Sequence, residues 1–293
     1  MYPQNAHYIW IGNNPLPQYA ISNIILFKAQ NPHYTVNLWT TSPHKLTNAI
    51  INSGYSTRFA RLINCREFPA MSGYVKSAID REMCGNTYFN YAAASDILRL
   101  VILQQYGGIY MDVDVMVSGP LGPIQPKMTS FTGPSDILIH RQDMNKKYRT
   151  SNAVIVSQPH TNTLKKMINY AIFPYTKNSI YNMGMSHNVG NDWLSKALRE
   201  KELENMPLWE IMWIGKRAIP HLRHKITMYL TGPGLMDSYL QASSINHRFM
   251  ATKILDQPSR FGQRETGPLG RWSWGMNDEG RWVNPGRKMN NTL

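Results

Sequence analysis

The chain has 293 residues, 42% of them hydrophobic, and carries 31 Lys and Arg against 18 Asp and Glu, a formal net charge of +13. That length and apolar content suit a single large core, with no apolar run near the roughly 18 residues a membrane helix needs and no basic-then-apolar leader. The basic field would attract nucleic acid, anionic lipid, acidic protein or a diphosphate, but the cations are scattered (Arg58, Arg61, Lys146, Arg217, Arg264) and no DNA- or RNA-binding motif accompanies them. Specific nucleic-acid binding is therefore not expected, while contact with an anionic membrane surface stays open. The two cysteines, Cys65 and Cys84, form neither a CxxC pair nor a disulfide framework and read as reduced thiols.

In chain order, residues 7–12 (HYIWIG) read as a buried strand closed by a glycine turn. Trp10 stands at that strand's end, where a flat ring can stack on a base or simply fill the core. Residues 20–29 carry a helical pattern and residues 34–40 alternate as a second strand, the β-α-β opening of a doubly wound nucleotide-binding sheet. Neither glycine-rich dinucleotide nor P-loop motif is present, so side chains and a metal would have to hold any phosphates. Residues 44–84 are expected to form several short helices, an insertion ahead of the central element.

That central element is residues 91–117, YAAASDILRLVILQQYGGIYMDVDVMV. Residues 91–106 form a helix apolar almost all round, hence a core helix, stopped by Gly107 and Gly108. Asp96 and Arg99 are its two charges, on one side at i,i+3 spacing, either a functional pair or an ordinary surface pair. Residues 109–117 are expected as one strand, with Ile109, Met111, Val113 and Val115 on one side and Tyr110, Asp112 and Asp114 on the other. Two carboxylates on one face of an apolar strand call for a cation, and hard oxygen ligands suit Mn²⁺ or Mg²⁺ shared with a diphosphate.

Residues 118–123 are a turn-rich exit, and residues 136–140 and 150–157 are strands, with Asn152 placed either to meet a sugar hydroxyl or to cap a turn. Helices are expected at residues 161–171 and 191–202 and a strand at 226–230, before Thr231-Gly232-Pro233-Gly234 opens a further helix with free backbone N–H groups. Residues 260–283, rich in Gly, Arg and Trp, are expected to fold over a site as a lid, and residues 284–293 to form a flexible tail.

The block NYAAASDILRLVILQQYGGIYMDVDV closely resembles the metal and nucleotide-sugar region of the large clostridial cytotoxin glycosyltransferases. HYIWIG resembles their first strand, SNAVIVS and LTGPGLMDSYL are similar to two later blocks in the same order, and RWSW is similar to their tryptophan loop. The resemblance implies an α/β GT-A fold over residues 1–283, a mixed Rossmann-like sheet with inserted helices, that transfers a sugar from a UDP-sugar to a protein hydroxyl with retention, using Mn²⁺. It implies that Trp10 stacks on uracil, that Ser95 lines the donor site, and that Asp96 and Arg99 hold the sugar hydroxyls. It further implies that Tyr110 supports the ribose and phosphate side, Asp112 reaches the metal through water, Asp114 binds it directly, Asn152 faces the sugar, and Trp272 meets the leaving diphosphate. The family's glutamate and serine metal ligands are not matched: Glu265 lies further from Trp272, and Gly270 stands in the serine's place, which leaves Ser273 or Asn277 as substitutes.

In this resemblance the residues flanking the asparagine govern donor choice. Here they are Ser151 and Ala153, small enough to admit an N-acetyl group, so UDP-GlcNAc is the expected donor. The expected function is a toxin or effector glycosyltransferase, secreted or injected, that modifies a host protein such as a small GTPase in the target-cell cytosol. The alternatives are a UDP-glucose-using toxin, a glycan-building enzyme of the same motif, and a basic binding protein with an inactive site.

Overall fold

The computed structural model describes residues 1–12, 14–68, 73–84, 90–117, 119–124, 128–129, 133–134, 137–141, 150–172, 175 and 231–236, together with the backbone of 261–263, 266–267, 270–271, 275–276 and 282–283. The elements that position the site are β1 (Asn5–Trp10), α1 (Gln18–Gln30), β2 (Thr35–Thr40), α2 (Pro43–Asn52), β3 (Arg61–Asn64), α3 (Gly73–Cys84), α4 (Tyr91–Tyr106), β4 (Gly108–Met111) and β5 (Val115–Val117). A short ribbon of β6 (Met128–Thr129) and β7 (Gly133–Pro134) follows, then β8 (Ile137–Arg141), β9 (Thr150–Ser157), α5 (Asn162–Ile172) and β10 (Phe261–Gln263).

Six strands form one sheet in the order β3-β2-β1-β4-β9-β8. β3, β2, β1 and β4 are parallel, β9 runs against β4, and β8 runs against β9. The chain steps outward from β1 to β2 and β3, then returns to the other side of β1 as β4. The carboxyl ends of β1 and β4 therefore flank the point where strand order reverses, the crevice where open α/β sheets bind ligands.

Both faces of the sheet are covered, which explains why its strands are apolar on successive residues. Tyr8, Leu38, Ile109 and Leu138 pack against α1 and α2 through Ile21, Ile24, Phe27 and Ile50. Their neighbours Ile9, Trp39, Tyr110 and Ile139 pack against α3, α4 and α5 through Ile79, Leu98, Ile102 and Met167. Among the described residues no helix is long and apolar enough to cross a membrane.

The start and stop of α4 are local. Asn90 Oδ1 accepts from Ala93 N–H at 3.2 Å, and Gly107, at φ 60°, closes the helix by donating to Leu103 O at 2.8 Å. Gly108, at φ +96°, lies so close to β1 that a Cβ there would stand 2.3 Å from Asn5 O. The two glycines thus turn the chain from helix into strand against β1 with no room for a side chain.

Two expectations need correction. Residues 109–117 are not one strand: β4 ends at Met111, residues 112–114 form a turn, and β5 leaves the main sheet to pair with β10. The reason is that Asp112 N–H is captured by Ala153 O at 2.8 Å and Asp112 O accepts from Val115 N–H at 2.9 Å. Residues 44–84 are likewise not purely a helical insertion, because β3 extends the main sheet beside β2, with α2 and α3 on opposite faces. The strands expected at 136–140 and 150–157 and the helix at 161–171 are present as β8, β9 and α5. The helix expected at 191–202, the strand at 226–230 and the tail at 284–293 lie outside the described residues, as does most of the expected lid.

Candidate active site

The site grows from α4. Along this otherwise apolar helix Asp96 and Arg99 are buried, at 6% and 5% exposure, so their charges must be satisfied by neighbours rather than water. Arg99 Nη2 meets Asp96 Oδ1 at 2.8 Å and Nη1 meets Asp112 Oδ1 at 3.2 Å. Nη1 also donates to Asn152 O at 2.5 Å and Nε to Ser95 O at 3.3 Å, and the guanidinium lies 4.5 Å from the centre of the Tyr110 ring. This fork of donors in one plane is why the residue is arginine rather than lysine.

Asp96 is held from three elements. Besides Arg99, Asn152 Nδ2 donates to its Oδ1 at 2.7 Å and Thr231 Oγ1 donates to its Oδ2 at 3.0 Å. Asn152 reaches it through an irregularity in β9: Ile155 pairs with Ile139 and Ser151 with His140, so residues 152–154 bulge out of the β8–β9 ladder. Such bulges re-aim a side chain. Burial pushes the Asp96 carboxyl up to about 6 against the pull of Arg99, Thr231 and Asn152, so it is ionised at neutral pH.

The turn at residues 112–114 carries the other two carboxylates. Tyr110 Oη donates to Asp112 Oδ1 at 2.6 Å, and burial holds the Tyr110 phenol protonated, well above its ordinary range. Arg99 bears on the same oxygen, so both contacts to the half-buried Asp112 converge on Oδ1. Asn23 Nδ2 on α1 donates to Val113 O at 3.2 Å and pins the turn from behind. Asp114 is buried at 8% exposure, and burial together with the Asp112 carboxylate pushes its pKa up to about 7. Burial opposes the charge on Arg99 as well, but Tyr110, Asp112 and Asp96 outweigh it and keep the guanidinium charged.

Of the other expected residues, Ser95 is half-buried beside this cluster. Trp10 is half-buried three residues beyond His7, the partner of Tyr110 across the β1–β4 ladder, and its Nε1 donates to Asn14 O at 2.8 Å. The indole N–H is thus engaged by its own loop. Ala153 is buried in the apolar cluster that also holds Met111 and Val113. Ser151 lies in β9 opposite His140. Trp272, Ser273 and Asn277 lie outside the described residues. The role of the Thr231 side chain is not legible in the sequence: no spacing relates it to Asp96, 135 residues earlier, and its one signal is its place in the block LTGPGLMDSYL.

Residues 17–131 match the family model described as a glycosyltransferase sugar-binding region containing a DXD motif. The chain is similar to DXD glycosyltransferases over that span, which is less than half of its length. Asp112-Val113-Asp114 is a D-x-D sequence within the matched span, and α4 lies there as well. "Subversion of eukaryotic traffic protein A" of Legionella pneumophila is 29% identical over 120 residues, 40% of this chain and 18% of the relative. The chain thus spans less than a fifth of that relative's length. Two solved structures share the fold, each covering 85% of this chain at 16% identity with a TM-score of 0.53. They are the UDP-bound glycosyltransferase domain of the YGT toxin, 78% of which is covered, and the catalytic domain of Clostridium novyi alpha-toxin, 73% of which is covered. The fold of this chain is thus the GT-A fold of those toxin glycosyltransferase domains.

A divalent cation, which the DXD motif implies, fits the residues present. Asp96, Asp112 and Asp114 face one guanidinium, and the ion pairs of that guanidinium go to Asp96 and Asp112, leaving the buried Asp114 to a further cation. Among the described residues no group of three or more His, Cys, Asp or Glu could enclose a metal by itself. Asp112 and Asp114 can therefore supply part of a shell, the rest coming from ligand oxygens or other residues, as Mg²⁺ and Mn²⁺ sites on diphosphates commonly do.

Proposed function

We propose that the protein is a retaining glycosyltransferase of toxin or effector type that transfers N-acetylglucosamine from UDP-GlcNAc to a hydroxyl of a host protein, with Mn²⁺ as the metal. The observation that carries the reading is the buried chain Asn152–Asp96–Arg99–Asp112–Tyr110, set beside Asp114 at the carboxyl edge of the sheet. The network holds its members in fixed orientations at the carboxyl edge of the sheet, and its acceptors and donors suit sugar hydroxyls and a diphosphate.

In the reaction the anomeric C–O bond to UDP breaks, a new bond forms to the acceptor oxygen, and the acceptor proton leaves with the diphosphate. Asp96 and Asn152 orient the sugar, Arg99 places positive charge near the leaving oxygens, and Tyr110 and Arg99 fix Asp112. Asp112 and Asp114 would hold the metal, which neutralises charge on the departing diphosphate. Trp10 would stack on uracil, and Trp272, with Ser273 or Asn277, would close the site from the C-terminal segment. The pairing of β10 with β5, directly after Asp114, supports that placement, because it brings backbone of residues 261–263 next to the metal turn.

GlcNAc as donor sugar rests on the small residues Ser151 and Ala153 on either side of Asn152. The Legionella relative, named for subversion of eukaryotic traffic, and the toxin origin of the fold neighbours support action inside a target cell, with a small GTPase as a candidate acceptor. The test is hydrolysis of UDP-GlcNAc and UDP-glucose with Mn²⁺, beside the Asp112→Asn/Asp114→Asn double variant. GlcNAc release abolished by the variant is expected. Glucose release would overturn the donor argument alone, and no UDP binding or turnover would make the protein a binding module with an inactive site.

A further inference from the structure

The hydrogen bond from Thr231 to Asp96 joins the donor site to a segment far along the chain. Thr231 and the residues after it are all buried: Gly232, Pro233, Gly234, Leu235 and Met236. Leu235 and Met236 belong to the same apolar cluster as Leu98, Leu100 and Val101 of α4. This packing seats the segment against the helix that carries Asp96, and Leu235 N–H donates to Gly232 O at 3.1 Å to close the turn behind Thr231.

The division of labour on the Asp96 carboxylate is specific. Oδ1 takes both Arg99 Nη2 and Asn152 Nδ2, and Oδ2 takes Thr231 Oγ1. Arg99 and Asn152 both bear on Oδ1, so they restrain the carboxylate from one side only. The Thr231 hydroxyl on Oδ2 holds the carboxylate from the opposite side, which narrows its remaining rotation and sets the direction of the lone pairs left for a sugar hydroxyl. We propose that Thr231 is a positioning residue of the donor site, which acts through Asp96 to set affinity for the sugar moiety of the nucleotide sugar. This rests on the reading of Asp96 as a sugar-binding residue.

A structural threonine and a positioning threonine differ in what their loss disturbs. The hydrogen bond of Thr231 falls on the carboxylate read as sugar-binding, not on a group assigned to the uracil or the metal, so UDP and UDP-GlcNAc separate the cases. Calorimetry with Mn²⁺ on the full chain, using UDP and UDP-GlcNAc as titrants, compares wild type with Thr231→Val, which keeps shape and removes the hydroxyl. UDP-GlcNAc affinity is expected to fall about tenfold, the range of a hydrogen bond to a charged group. UDP affinity should stay within about twofold, and Thr231→Ser should restore sugar-nucleotide binding. In an Asp96→Asn background Thr231→Val should add nothing further, because the carboxylate through which it acts is gone.

Equal loss of UDP and UDP-GlcNAc binding, an undiminished effect in the Asp96→Asn background, or unchanged UDP-GlcNAc binding would each overturn the proposal. If Thr231→Val does not fold, Thr231→Ser against Thr231→Ala isolates the hydroxyl with the same expected contrast. Wild-type protein that binds UDP-GlcNAc no better than UDP, and loses nothing on Asp96→Asn, would overturn the sugar-site reading itself.

Discussion

Replacing Arg99 with methionine removes a buried positive charge while keeping much of the side chain's length. Asp112 suffers little, since it is half-buried and keeps the hydrogen bond from Tyr110 Oη at 2.6 Å. Asp96 keeps Asn152 and Thr231 but loses its only ion pair among the described residues, in a place that is 6% exposed. Removing one partner of a buried pair costs roughly 3–5 kcal/mol, and the two remaining donors put this case at the low end, about 3 kcal/mol. Against a total stability on the order of 5–15 kcal/mol, that is a large loss. The same substitution in an Asp96→Asn background should cost only about 1 kcal/mol, because no unpaired carboxylate is left behind. Urea unfolding of both single variants and the double gives the coupling. The pH dependence has a definite sign: the folded pKa of Asp96, about 6 with Arg99 present, rises when Arg99 is lost, so the folded variant favours the protonated acid. The cost of Arg99→Met should therefore be larger at pH 8 than at pH 5. Additive effects of the two substitutions, or an equal cost at both pH values, would refute the claim that Arg99 serves to balance Asp96.

Three further outcomes follow from other residues. Asp114, lifted to about 7, must give up its proton to bind a cation, so Mn²⁺ affinity should rise between pH 6 and pH 8 with proton release, and Asp114→Asn should abolish that dependence in calorimetry. His7 is buried and neutral, with Nε2 donating to Gly107 O at 3.0 Å, Nδ1 accepting from Trp39 Nε1 at 3.2 Å, and a pKa lowered by burial to about 4. The unfolded chain binds that proton first as pH falls below about 6.5, so up to about 3 kcal/mol of stability present at neutral pH is lost toward pH 4, and His7→Gln should flatten that acid limb in urea titrations. Gly108→Ala would place a methyl 2.3 Å from Asn5 O at φ +96° and should destabilise by more than about 2 kcal/mol, visible as a lower melting temperature; a neutral result would contradict the close β1–β4 approach.

Much of this protein is legible locally. The helix at residues 91–106 is readable because Gly107 and Gly108 stop it and its nearly all-round apolar character means burial, while the Asn90 cap is seen in the structure. The pairing of Asp96 with Arg99 follows from helical spacing, and Tyr110 beside Asp112 from the side-chain direction of β4. The apolar alternation from Ile109 to Val117 was also right about which residues face α1, since these side chains share one cluster. It was silent on the break in the strand, because the turn at residues 112–114 is made by Ala153 O and Asn23, groups whose distance in sequence hides them from any local pattern.

Composition, period and capping chemistry are properties of neighbours along the chain, and they determined the elements, the buried central helix and the presence of paired carboxylates. Tertiary structure alone decided what those carboxylates are worth. Antiparallel pairing of β9 with β4, and the bulge at residues 152–154, carry Asn152 to Asp96. Packing of Leu235 and Met236 brings Thr231 to the other carboxylate oxygen. Each contact depends on a loop closed over tens of residues, whose register is set by core packing rather than by the residues that touch, and so it becomes visible only once the chain has folded.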